Sequence, residues 1–160
     1  MRASIKISIL GFAMTGLSSA MAMAADTDRM IVLTNSAAAQ WGTAPAFLPK
    51  GVLSSVFMGD PGKPGTFVLR LKLPAHTIIA PHTHPTAETV TLVSGTLMSD
   101  MGETIDQARA KKVETGGFFY LPAGMAHSVW TTNEPAEVEV KGEGPFSLKY
   151  INPADDPSGS

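Results

Sequence analysis

The chain has 160 residues, 44% of them hydrophobic and 16% charged, with a formal net charge of −2 and no cysteine. This suits one globular domain with its own core. It excludes disulfides, thiolate ligands and a thiol nucleophile, and with no Lys/Arg run beyond the isolated Lys111-Lys112 pair it argues against a nucleic-acid partner.

The N-terminus reads as an export signal. Met1-Arg2-Ala3-Ser4-Ile5-Lys6 is charged, residues 7–17 are apolar, and Ser18-Ser19-Ala20-Met21-Ala22-Met23-Ala24-Ala25 offers small-residue cleavage positions after Ala24 or Ala25. The apolar stretch is too short for a comfortable membrane span. Residues 1–25 are therefore expected to be a cleaved signal peptide, with a mature protein that is periplasmic or secreted and has no membrane span. The mature chain carries ten basic and fourteen acidic residues, a net of −4.

Residues 26–65 lack strong periodicity and read as an N-terminal arm with one or two short strands, closed by the turn cluster Asp60-Pro61-Gly62-Lys63-Pro64-Gly65. Phe67, Leu69, Leu71 and Leu73 then alternate with Val68, Arg70 and Lys72, which predicts a half-buried strand. Pro74-Ala75-His76-Thr77 reads as a turn. Beyond Glu88, Thr89-Val90-Thr91-Leu92-Val93 is strand-prone, Gly95 allows a tight turn, and residues 96–101 are expected to pair back as a hairpin. Thr104 and Gln107 have capping-box spacing, so residues 104–112 are expected to hold a short helical insertion. Residues 117–121, 126–131 and 138–141 predict further strands, and Phe146, Leu148 and Tyr150 alternate in a last one. The tail at 154–160, polar and broken by proline, is expected to lie on the surface or fray. Many short strands between frequent turns predict an all-β sandwich or barrel in a single domain over residues 26–153.

Three of the four histidines fall in two segments with the character of metal ligands. His82, His84 and Glu88 have i, i+2, i+6 spacing, which on one continuous strand would aim two imidazoles and a carboxylate to the same side. His127, arriving on another strand, would complete a four-ligand site for a divalent transition metal: Fe, Mn, Ni, Cu or Zn. With four histidines and seven glutamates in 160 residues, composition alone yields about 0.004 such His-x-His-x-x-x-Glu matches per chain.

These segments resemble the two motifs of the cupin superfamily. His82, His84, Glu88 and Gly95 match the first in type and spacing; Gly116, Pro122, Gly124 and His127 match the second. Two positions depart: His76 stands where the first motif opens with Gly, and Thr131 where the second closes with Asn. His tolerates positive φ better than most residues, so His76 is read as an exposed turn residue. The resemblance implies a single jelly-roll β-barrel (a double-stranded β-helix), a 3-His-1-Glu metal centre and a small-molecule ligand or substrate. It also implies a homodimer formed through the N-terminal arm. It leaves the chemistry open. A metalloenzyme of dioxygenase, decarboxylase or isomerase type acting on a small polar metabolite, a non-catalytic binding cupin, and an interaction module all fit. Tyr120 is a candidate pocket residue beside the second motif, Met98 and Met101 are candidate barrel-lining residues, and Trp130, at an odd offset from His127, should face away from the metal.

Overall fold

The computed structural model describes residues 30–159, so the expected signal peptide lies outside the described residues. Residues 31–160 form one compact unit. Eleven strands build it: β1 (Gly42–Thr43), β2 (Leu53–Met58), β3 (Gly65–Leu73), β4 (Ile78–Thr83), β5 (Glu88–Ser94), β6 (Thr96–Met101), β7 (Lys111–Glu114), β8 (Phe118–Leu121), β9 (His127–Trp130), β10 (Ala136–Gly144) and β11 (Lys149–Tyr150). They form a six-stranded sheet, ordered β1-β2-β3-β10-β5-β8, and a five-stranded sheet, ordered β11-β4-β9-β6-β7. Every strand pairing is antiparallel. This is the expected all-β jelly roll. No helix among the described residues is long and apolar enough to cross a membrane.

The alternation in β3 and β10 does what its period demands. Phe67, Leu71 and Leu73 are buried opposite Val138 and Val140, while Lys72 and Lys141 point outward. Arg70, on the outer side, bridges Glu137 and Glu139 of β10 at 3.1 and 2.9 Å and donates to Ser36 Oγ at 2.8 Å. The segment preceding β1 is thereby tied to the outer face of the six-stranded sheet.

Three local expectations are corrected. Residues 96–101 do not fold back on β5. The chain crosses to the other sheet, where β6 pairs with β7 and β9, and β5 is flanked by β10 and β8. The crossing point is Gly95 at φ 82°, where a Cβ would lie 2.2 Å from the Pro135 carbonyl oxygen; only glycine permits so close an approach. The helical insertion shrinks to a single turn, in which the Ala110 N–H donates to the Asp106 carbonyl at 3.0 Å, and Lys111 already begins β7. The capping-box spacing loses to Asp100, whose carboxylate accepts from the Asp106 N–H at 2.7 Å and from Arg109 at 2.8 and 2.9 Å. In the last strand only Lys149–Tyr150 pairs, although Phe146, Leu148 and Tyr150 keep their inward alternation. The tail forms two 3-10 turns, Pro153–Asp155 and Pro157–Gly159.

The two departures from the motifs meet at one turn. His76 is exposed with φ 59°, the left-handed conformation anticipated for it. Thr131 Oγ1 donates to the Pro74 carbonyl at 2.6 Å and accepts from the Thr77 N–H at 2.9 Å, so the threonine hydroxyl closes the turn that His76 opens.

Candidate metal centre

His82 lies on β4, His84 one residue past its end, Glu88 at the first position of β5 and His127 at the first position of β9. His82, His84 and Glu88 do not share one strand face, as their spacing suggested, while His127 does arrive on another strand. Pro85 interrupts the run between two strands of opposite sheets, and the turn brings Glu88 back against the histidines. The Gly124 N–H donates to the His84 carbonyl at 2.8 Å, which joins the second motif to this turn. His127 pairs directly with His82 across β9 and β4.

All four side chains are buried, between 2 and 7% exposed. Three histidine nitrogens, one from each of His82, His84 and His127, lie within 4.8 Å of one another. Glu88 Oε1 sits 3.3 Å from His84 Nε2 and 3.1 Å from His127 Nε2. The opposite ring nitrogens face backbone carbonyls: His82 Nδ1 to Ala80 at 2.7 Å, His84 Nδ1 to Ser147 at 2.7 Å and His127 Nδ1 to Met125 at 3.2 Å. A ring nitrogen facing a carbonyl carries a proton, which leaves each Nε2 for the cluster: from a charged His84 or His127 ring it donates to Glu88, and from a neutral ring it offers a lone pair to a cation. Phe146 stacks on the His84 ring with centroids 4.4 Å apart and planes 18° from parallel.

The groups around a metal-binding imidazole are those that fix its tautomer and orientation. Here they are backbone carbonyls and one phenyl ring, which no side-chain pattern in the sequence announces. Burial first, and the neighbouring His127 second, push His82 down to about 3. Burial raises Glu88, but hydrogen bonds from His127 and then His84 outweigh it and hold the carboxyl at about 2. Three imidazole nitrogens and a carboxylate brought together in a buried space are the donor set a divalent transition ion takes. The residues fit such an ion.

The cluster forms part of the wall of a cavity of about 300 Å³ between the two sheets. Of the other residues proposed from sequence, Tyr120 is 61% exposed on the outer face of β8; its neighbour Phe119 lines the cavity instead. Met98 pairs with Trp130 on the side away from the cavity and Met101 is half exposed, while Leu97 is the β6 residue that faces inward. Trp130 faces away from the histidines, as its offset required, and Val129 lines the cavity.

Comparison with known proteins agrees with this architecture. The sequence model of the family described as "Cupin domain" matches residues 69–140, a span holding all four cluster residues. Among solved structures, the polyketide cyclase RemF from Streptomyces resistomycificus superposes with a TM-score of 0.66 at 15% identity over 81% of this chain and 91% of that one. The cupin 2 domain-containing protein from Halorhodospira halophila gives 0.54 at 14% identity, over 66% and 73%. The DMSP lyase DddQ from Ruegeria pomeroyi DSS-3 gives 0.54 at 19% identity, over 68% and 58%. No curated protein matches the chain by sequence. At these identities the structural likeness establishes fold and not reaction. Residues 69–140 thus match a cupin domain, within a chain whose fold is that of solved cupin structures.

Proposed function

We propose that the protein is an exported metalloenzyme in which His82, His84, His127 and Glu88 hold a divalent transition metal, with dioxygenase, decarboxylase or isomerase chemistry on a small molecule in the adjoining cavity. The observation that carries this reading is the convergence of three imidazoles, each with Nδ1 against a carbonyl, beside a buried carboxylate that meets two of them at the cavity wall. The metal, when bound, supplies Lewis acidity, and oxygen chemistry if it is iron. The protein's own part is positional. The Ala80, Ser147 and Met125 carbonyls hold the tautomers, Phe146 holds the His84 plane, and the apolar walls exclude water. The relatives in fold include proteins named as a polyketide cyclase and a DMSP lyase, which suits an enzyme.

A second reading, a non-catalytic binding cupin, is favoured by one observation: among the described residues the cavity lining holds no acid or base beyond the cluster itself. Plasma mass spectrometry of mature protein from an exporting host decides whether the site is real. Near-stoichiometric Fe, Mn, Ni, Cu or Zn, lost in the His82→Ala/His84→Ala double variant, is expected. No metal above the variant's background after reconstitution overturns the metal reading. Turnover or oxygen uptake by the loaded protein then separates enzyme from binder.

We further propose that residues 1–25 are removed on export and that the mature chain is a homodimer joined through its N-terminal arm. N-terminal sequencing of periplasmic material and light scattering at micromolar concentration test these in turn; an intact Met1 or a pure monomer counts against them.

A further inference from the structure

The cavity wall is divided chemically. Of the 23 described residues lining it, the only ionisable ones are His82, His84, His127 and Glu88, which cluster at a single place. Among the described residues no lysine or arginine lines it, and outside the cluster the only side-chain hydrogen-bonding group there is the Ser54 hydroxyl. The remainder is aliphatic and aromatic, including Leu69, Leu71, Val90, Phe119 and Val140. Well-packed interiors leave few voids larger than a water molecule, so about 300 Å³ is room for a ligand.

The mouth is identifiable. In β2, Ser54 and Val56 pair with Leu71 and Leu69 and share their cavity-facing side. Val56 is nevertheless 50% exposed, so the cavity reaches solvent beside it. The turn at this rim contributes Pro61 and Gly62. Its charged residues, Asp60 and Lys63, are paired with each other at 2.8 Å, so no free cation awaits an anion there.

We propose that the cavity takes a largely apolar small molecule bearing one anionic oxygen-donor group, which enters past Val56 and seats that group on the histidine–glutamate cluster. For the polar head this rests on the metal reading above; for the apolar body it rests on the lining alone. A divalent ion held by three neutral imidazoles and one carboxylate keeps one positive charge, which one anionic donor balances. A second anionic group, or a polyhydroxylated body such as a sugar acid, would be desolvated against carbon with no partner. The expectation of a small polar metabolite thus narrows to a molecule polar at one end.

The test has two arms on the intact mature protein. In the first, the neutral fluorophore N-phenyl-1-naphthylamine is titrated into metal-free and metal-loaded protein. Saturable fluorescence enhancement is expected in both, weakened at least about tenfold by Val56→Trp, which plugs the mouth at a half-exposed position, and unchanged by Phe118→Ser, which removes an exposed aromatic outside the cavity. No enhancement with folded protein, or a loss in Phe118→Ser but not in Val56→Trp, overturns the apolar assignment. In the second arm, calorimetry compares acetohydroxamate, benzohydroxamate and 4-carboxybenzohydroxamate on metal-loaded protein. The phenyl ring is expected to tighten binding at least about tenfold, and the added carboxylate to remove that gain. Equal affinities, or tighter binding of the carboxylated probe, overturn the proposal. Fluorophore uptake without any bound metal would sustain the apolar class while sinking the metal reading, so the two fail separately.

Discussion

Glu88 and Asp100 are both strand carboxylates, and both are almost wholly buried, at 5 and 3% exposure. Their surroundings are opposite. Asp100 is saturated by its own chain. Arg109 donates to both its oxygens at 2.8 and 2.9 Å, and the Met101 and Asp106 N–H groups fill further positions at 2.9 and 2.7 Å. Arg109 first, then Asp106, hold it below the usual carboxylate range. Glu88 instead faces ring nitrogens whose protons are directed to backbone carbonyls elsewhere. A carboxylate completed by donors of its own loop and an arginine fastens that loop; one that meets only imidazole nitrogens can share a cation with them. Burial and a lowered pKa are shared by both, so neither marks a functional site by itself.

The largest effect should come from removing the ligands. His82→Ala/His84→Ala should lower bound metal to background with the fold retained by circular dichroism, whereas Asp100→Asn should leave metal content unchanged. Metal loss in Asp100→Asn comparable to that in the double variant would erase the contrast between the two carboxylates.

Acid should act next, through the cluster. His82 is held at about 3 when folded against 6.5 unfolded, and Glu88 at about 2 against 4.5. In both cases the unfolded chain binds more protons in the intervening range, so stability rises with pH there. The contribution is fully present above pH 6.5 and should be lost as pH falls from 6.5 toward 3 for His82, and from 4.5 toward 2 for Glu88. The loss is of the order of a few kcal/mol. Denaturant melts of metal-free protein across pH 4–7 should show it, and His82→Gln should flatten the slope; an unchanged slope would disprove the assignment to His82.

Asp100→Asn should itself lower the melting temperature, because Arg109 and the Met101 and Asp106 N–H groups lose a charged acceptor, and hydrogen exchange of residues 102–110 should speed up. Thr131→Val leaves the Thr77 N–H without its buried acceptor and should cost about 1–3 kcal/mol, with metal content unchanged. His76→Gly should be smallest, within about 1 kcal/mol of wild type, since glycine relieves the strain at positive φ but loses more chain entropy.

Much of the site was legible because ligand identity and spacing are properties of the chain. His82, His84, Glu88 and His127 could be named with no knowledge of how they meet. How they meet was misjudged: a single strand was expected to present His82, His84 and Glu88, but two strands from opposite sheets and a proline-containing turn do so. The hairpin expected after Gly95 failed for a related reason. Local alternation says which side of a strand is apolar but not which strand lies beside it, and β10 occupies the edge that β6 was expected to take. Tyr120 was a reasonable candidate by position and sits outside, because the period of two turned Phe119 inward.

The sequence by itself determined the class of fold, the four cluster residues and the positive-φ turn at His76, because each follows from residue chemistry at short spacing. Only the tertiary structure decided that Thr131 closes that turn, that backbone carbonyls and Phe146 orient the imidazoles, and that the described cavity wall is apolar apart from the cluster and Ser54. Those features arise where segments from β2 to β11 meet across the barrel, and the pairing of strands distant in sequence depends on which packing buries the most apolar surface without stranding a polar group.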